Sequence, residues 1–192
     1  NPILFPDNTR LPVTEIADIL RPQVTSGVLH LSTGVLVLSM TETIDVTPAN
    51  YVNLHQLFIV NASSTVSHSG VEDSMTLNGA TVTSTEDSVL VNITLSEGQR
   101  ARLVAMSDTP GGDGTSSTLS TLHGGFRDLS SNLNIFSDTI PMIEIPDTKS
   151  PIVLSSILRF GTNLLLLNVS ETIDCTPGTL VLPGRLFLSE DG

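Results

Sequence analysis

The sequence predicts an all-β chain, built from repeats of an antiparallel β-sandwich with one short helix per repeat. Three observations lead there. First, the stretch Ser39-Met40-Thr41-Glu42-Thr43-Ile44-Asp45-Val46-Thr47-Pro48 returns as Asn168-Val169-Ser170-Glu171-Thr172-Ile173-Asp174-Cys175-Thr176-Pro177. The same offset, the one that carries Pro48 onto Pro177, pairs Leu11–Ser63 with Ile140–Gly192 without a gap, and 20 of the 53 positions are identical. A period this long marks a tandem array of domain-sized units. Second, short aliphatic and β-branched runs alternate with Gly, Pro, Asn and Ser turns along the whole chain. Third, Ser96-Glu97-Gly98-Gln99 carries a helix start signal ahead of one short helix.

The repeat sets the boundaries. Residues 1–21 match the end of a preceding repeat and its linker, 22–150 form one complete repeat, and 151–192 begin the next. A unit of that length is large enough to bury its own core. The chain starts and stops inside repeats and begins at Asn1 without an initiator Met, so it is expected to be a piece of a longer protein.

Each element follows in order. Pro2, Pro6 and Pro12 punctuate residues 1–21, which read as an extended last strand and a linker. Val24 to Leu31 is a first strand, Ser32-Thr33-Gly34 a turn, and Val35–Thr41 a second strand. Leu36, Leu38 and Met40 share one face, as do Leu165, Leu167 and Val169 in the next copy. Val35 and Val37, with Leu164 and Leu166, make the other face apolar too. A strand with one wet face alternates, so this second face is expected to be covered, by another chain or by the helix or linker of the same unit.

Leu57–Val60 is a third strand, and 61–73 a polar loop. Asn78-Gly79, between Met75–Leu77 and Thr81–Thr83, is a strong hairpin signal. Ser88–Leu95 alternates, with Val89, Val91, Ile93 and Leu95 inward and Asn92 and Thr94 outward. Ser96-Glu97-Gly98-Gln99 fits a capping box and predicts a short helix to about Met106, packing through Leu103, Val104 and Met106. Pro110–Gly114 is a loop; Leu119–Leu122, Phe126–Leu129 and Pro141–Ile145 are further strands.

Composition excludes several functions. The net charge is −12 with only 8 Lys+Arg, which lacks the basic footprint that nucleic acids or anionic membranes demand. No apolar run approaches the roughly 20 residues of a membrane helix. Ser and Thr make up 46 of the 192 residues, and Trp is absent. The one cysteine, Cys175, stands where the first copy has Val46. It forms no internal disulfide framework, and reads either as a small buried hydrophobe or as half of an intermolecular disulfide.

The opening Asp147-Thr148-Lys149-Ser150-Pro151, followed by Gly161 to Asp174, resembles the start of the tandem immunoglobulin-like repeats (bacterial Ig-like or cadherin-like) of giant surface proteins of microbes and algae. Their pattern is approximately D-T-x-x-P…G-x-L-T-L-T-F-S-E-x-V-D. The same opening stands at Arg21-Pro22 and Ser32–Asp45, and Phe126–Asn132 resembles the closing D-x-x-G-N segment with Ser131 in the Gly position. A true immunoglobulin domain carries a Cys…Trp…Cys core, so the likeness is one of architecture. The resemblance implies an extracellular, structural or adhesive protein without catalytic residues. Flagellar hairs (mastigonemes) and other extracellular filaments fall in that class.

Candidate sites are few. Asn61, Asn92 and Asn168 each head an N-x-S/T glycosylation sequon. Glu42, Asp45, Glu171 and Asp174, with Asp18 and Asp147 near the linkers, are hard oxygen ligands of the kind calcium takes, though no D-x-D-x-D-G loop is present. The bland reading of these carboxylates is turn-closing hydrogen bonds. His30, His55, His68 and His123 are scattered, without zinc spacing. No G-x-S-x-G elbow occurs, and Pro110–Gly114 lacks the Lys of a phosphate loop. No cofactor is indicated, and an enzyme is not expected. The expected function is a stalk or filament whose partners are copies of itself or neighbouring repeats. The alternative is an adhesin module that binds a glycan or protein through loops at one end of the sandwich.

Overall fold

A computed structural model describes residues 13–61, 74–187 and 189. The fold is all-β, and the described residues include one α-helix and four 3-10 turns. Eight strands, β1 (Val24–His30), β2 (Val35–Ile44), β3 (Leu57–Asn61), β4 (Ser74–Thr76), β5 (Thr81–Val82), β6 (Ser88–Thr94), β7 (Ser117–Thr121) and β8 (Ser137–Ile145), form one curled mixed sheet in the order β4-β3-β7-β8-β1-β2-β6-β5. A separate two-stranded sheet pairs β9 (Val153–Arg159) with β10 (Leu164–Val169). Among the described residues no helix is long and apolar enough to cross a membrane.

The alternation that marks β2 sets its place. Leu36, Leu38 and Met40 are buried, and with Leu29 of β1 and Val91 and Ile93 of β6 they form one wall of the core. The other wall is Leu57 and Ile59 of β3, Met75 of β4, Leu119 of β7 and Ile140 of β8, with Phe126 fully buried in the same cluster. β8 joins the two walls. It runs antiparallel to β7 and parallel to β1, whose other edge is already taken by the tight hairpin to β2. The sheet is therefore mixed and not purely antiparallel, because the edge of β1 left for the last strand receives it in the same direction.

Several sequence expectations change. Asn78-Gly79 does make a tight turn, with Ala80 N–H donating to Leu77 O at 3.0 Å and Gly79 at φ 93°. It does not close a hairpin: β4 pairs with β3 and β5 with β6, at opposite ends of the sheet order. The turn carries the chain from one wall of the core to the other. Val89 is 47 % exposed, at the irregularity where the β2–β6 ladder shifts register between the Ser39–Leu90 and Ile44–Ser88 pairs; Val91, Ile93 and Leu95 do point inward. Phe126–Leu129 forms only isolated bridges, Ile44–Asp128 and Arg127–Leu133. Residues 13–23 form no strand; the rest of the expected 1–21 strand, and the expected loop after Asn61, lie outside the described residues. Val35 and Val37 are half-buried. Across the ladders they face His30 and Val28 on one side and Thr94 and Asn92 on the other.

β9 and β10 reproduce β1 and β2. The bulge between Val24 and Ser26, where Val24 faces Met40 and Ser26 faces Ser39, recurs as Val153 facing Val169 and Ser155 facing Asn168. The Gln23 N–H donates to Thr41 Oγ1 at 3.0 Å, and its counterpart Ile152 N–H to Ser170 Oγ at 3.0 Å. Both copies carry a cis Thr-Pro bond, at Pro48 and Pro177, followed by two 3-10 turns, Ala49–Tyr51 and Leu54–Gln56, then Gly178–Leu180 and Pro183–Arg185. The difference is cover. Leu38, Ile44, Val46 and Leu57 are buried, whereas their counterparts Leu167, Ile173, Cys175 and Leu186 are exposed. Cys175 is thus not a buried hydrophobe: the opposing wall that covers Val46 has no equivalent over it among the described residues. It lines an open apolar hollow of about 450 Å³ with Val153, Leu167, Val169, Ile173 and Leu186.

Candidate functional site: the junction around Arg100

The capping box forms as the sequence predicts. Helix α1 (Glu97–Ala105) starts at Ser96, whose Oγ accepts the Gln99 N–H at 3.4 Å, while Gln99 Oε1 accepts the Ser96 N–H at 3.0 Å. Gln99 Nε2 also donates to Thr76 O and Asn78 O at 3.1 and 2.9 Å, and Arg102 Nη2 to Ser74 O at 2.9 Å. Leu103 is buried below. These bonds fix the helix to the ends of the strands. Its first turn meets the Ser32–Gly34 turn, where Leu95 N–H donates to Gly34 O at 2.8 Å.

That placement buries Arg100, whose side chain is only 8 % exposed. All five guanidinium N–H donors find acceptors. Nε and Nη2 bind the two oxygens of Glu97 at 2.7 and 2.8 Å, in the fork geometry specific to arginine. Nη1 donates to Leu31 O at 3.1 Å and to Asp147 Oδ2 at 2.6 Å; Nη2 also reaches Glu171 Oε2 at 3.1 Å. Glu97 Oε1 in turn accepts the Thr172 N–H at 2.7 Å. One cation therefore ties together the helix, the β1–β2 turn, the linker aspartate and the segment following β10. Beside it lies an open cleft of about 650 Å³, lined by Arg100, Val104, Pro110, Asp147, Glu171 and Thr172.

The electrostatics follow the geometry. The Arg100 hydrogen bonds hold the Glu97 carboxyl at about 2; burial opposes this, and the Thr172 N–H reinforces it. Burial pushes Asp147 up, but the Lys149 N–H and the Arg100 guanidinium outweigh it and leave the carboxyl below its usual range. The Glu97 hydrogen bonds raise the Arg100 pKa against the cost of burial, with Asp147 adding to the rise.

The four carboxylates considered for calcium part ways. Glu171 is on Arg100. Asp45 Oδ2 accepts from Arg127 Nη2 at 2.7 Å, and the same guanidinium stacks 3.1 Å over the Tyr51 ring. Asp174 Oδ1 accepts the Thr176 N–H at 2.9 Å, a turn-closing bond. Glu42 lies with Asp18 and Asp128, one oxygen of each within 4.8 Å of the others. Of the sequon residues, Asn92 is half-buried on β6 and Asn168 is exposed on β10. Asn61 is buried, and its Nδ2 donates to Asp113 Oδ2 at 2.6 Å, so a glycan there would have to break that bond.

Sequence reading places Leu103 and Met106 in the core but passes over Arg100. A signal exists: Arg100 lies three residues before Leu103, on the same helix face, in a chain with only 8 Lys+Arg. No protein-family model, no curated protein and no solved structure matches the chain.

Proposed function

We propose that this chain belongs to an extracellular structural protein, in which immunoglobulin-like β-sandwich units follow one another as a stalk or filament and carry out no chemistry of their own. Residues 22–150 are read as one unit and 151 onward as the start of the next. The observation that carries the reading is the recurrence of bulge, hydroxyl bond and turn pattern one sequence period apart, joined across the boundary by Arg100. A stalk requires this: the same unit, met by the next in a fixed geometry. The two walls of the curled sheet, sharing one core and joined by β8, support the sandwich assignment.

The test is mechanical. A chain carrying several copies of the 22–150 unit is stretched by single-molecule force spectroscopy. Equal unfolding steps should appear, each releasing a contour of about 430–460 Å less the folded length, at roughly 3.3–3.6 Å per residue. Irregular steps, or extension without discrete steps, would exclude a stalk of equivalent units.

A further inference from the structure

The Arg100 junction has a half-built counterpart at the other end of the unit. Asp18 and Glu42 stand one full period before Asp147 and Glu171, the two acceptors that Arg100 holds from across the linker. The two aspartates are held alike: the Leu20 N–H donates to Asp18 Oδ1 at 3.0 Å and the Lys149 N–H to Asp147 Oδ1 at 2.9 Å. In Asp147 this leaves Oδ2 for the guanidinium. Glu42, near the end of β2, and Glu171, just past β10, each stand one residue beyond the hydroxyl of the same backbone-to-side-chain bond, Thr41 and Ser170.

The environments differ in the cation, present only at Glu171, and in Asp128, present only at Glu42. Glu171 meets a guanidinium, whereas Glu42 has no hydrogen-bond partner among the described residues and faces Asp18 and Asp128. Burial, then Asp128 and Asp18, raise its pKa. Asp128 is already engaged, accepting from the Asn132 N–H at 2.8 Å and from Asn132 Nδ2 at 2.7 Å. That leaves Asp18 and Glu42 as the pair facing outward.

We propose that Asp18 and Glu42 form the receiving half of a second junction, which takes the helix-borne arginine of a preceding unit of the same kind. The inference rests on the tandem reading and adds to it the residue chemistry by which units recognise each other. Arginine fits because it presents paired donors to two carboxylates at once, as Arg100 does. A unit with the arginine at one end and the Asp/Glu pair at the other makes a head-to-tail contact, which propagates without closing.

The test joins residues 1–146 to residues 18–192 of the same sequence, so that a second-unit Asp18 falls where Asp147 stood. Slowly exchanging Nη–H signals of the Arg100 guanidinium, whose Nη1 and Nη2 reach Asp147 and Glu171, are then followed by NMR and assigned by their loss in Arg100→Lys. The present chain should give one such Arg100 set, apart from the signals of Arg127 on Asp45, and the joined chain two. Asp18→Asn with Glu42→Gln in the second unit should remove one of the two and leave the amide spectrum of both units folded. Two folded units with a single protected arginine, or two signals that survive the double substitution, would overturn the inference while leaving the tandem reading intact. A second unit without folded amide signals would bring down both. Calcium that shifts Glu42 and Asp128 in the joined chain, with only one protected arginine, would make the cluster a metal site and overturn the arginine assignment.

Discussion

Arg100 and Glu171 are 71 residues apart in sequence and 3.1 Å apart in space, and the bond between them crosses the Pro151 boundary. Arg100 also neutralises Glu97 and Asp147. Arg100→Met should therefore leave three neighbouring carboxylates without a cation. Asp147 and Glu171 are mostly buried, whereas Glu97 is about half-exposed. The expected destabilisation is about 2–4 kcal/mol, below the full cost of stranding a deeply buried charge. A denaturant midpoint that does not move would show the network to be energetically idle. Arg100→Lys should recover only part of the loss, since an ammonium cannot reproduce the fork on Glu97.

Acid should undo the same network. Glu97 is lowered from 4.5 to about 2, and Asp147 lies below its ordinary 3.8. For groups depressed on folding, the stabilisation is fully present above the unfolded value and is lost as pH falls through the folded one. The melting temperature should thus decline between about pH 4.5 and pH 2, and the Arg100→Met variant should show a shallower decline. Parallel curves for the two proteins would assign the acid sensitivity to other groups.

Glu42 carries the opposite sign. Its pKa is raised above 4.5 by burial and by Asp128 and Asp18. Its contribution is present below pH 4.5 and disappears as pH rises through the raised value. Glu42→Gln should stabilise the present chain at pH 7, and the gain should vanish below about pH 4. A variant less stable at pH 7 would mean that Glu42 makes a favourable ionised contact.

Local signals in the sequence transferred well where one residue type has one physical use. Ser96 and Gln99 marked the helix start because their side chains satisfy orphan N–H groups there. Leu36, Leu38 and Met40 marked a core face because the strand period is two. Pairing was less legible. Asn78-Gly79 specifies a sharp reversal, and nothing in those two residues says which strands flank it in the sheet. Arg100 was illegible for another reason. A charged residue on a helix ordinarily lies on the wet face, and only the tertiary arrival of Asp147 and Glu171 makes burial tolerable. The repeat itself contained the clue, since both acceptors recur one period earlier as Asp18 and Glu42.

Two glycines should respond in opposite ways. A Cβ at Gly112 would collide with Ser107 O, a backbone atom. Gly112→Ala should cost on the order of 1–3 kcal/mol or more as the loop shifts. At Gly98, inside α1, a Cβ meets nothing within 4 Å. Gly98→Ala should add up to about 1 kcal/mol through helix propensity. Thermal melts of both variants check the pair, and equal effects would contradict the loop geometry.

On the tandem reading proposed above, residues from 151 onward are the open half of a unit like 22–150. The most direct test completes that half, by following residues 1–187 with residues 59–150 of the same sequence, so that Phe187 takes the place of Phe58. Amide hydrogen exchange is then measured on β9 and β10. If the claim holds, the amides of Leu158, Leu166 and Asn168 gain protection comparable to that of β1 and β2, and Cys175 loses its reactivity to thiol reagents. If those amides exchange as fast as in the present chain and Cys175 stays reactive, the second segment is not a half-unit and the repeat account fails.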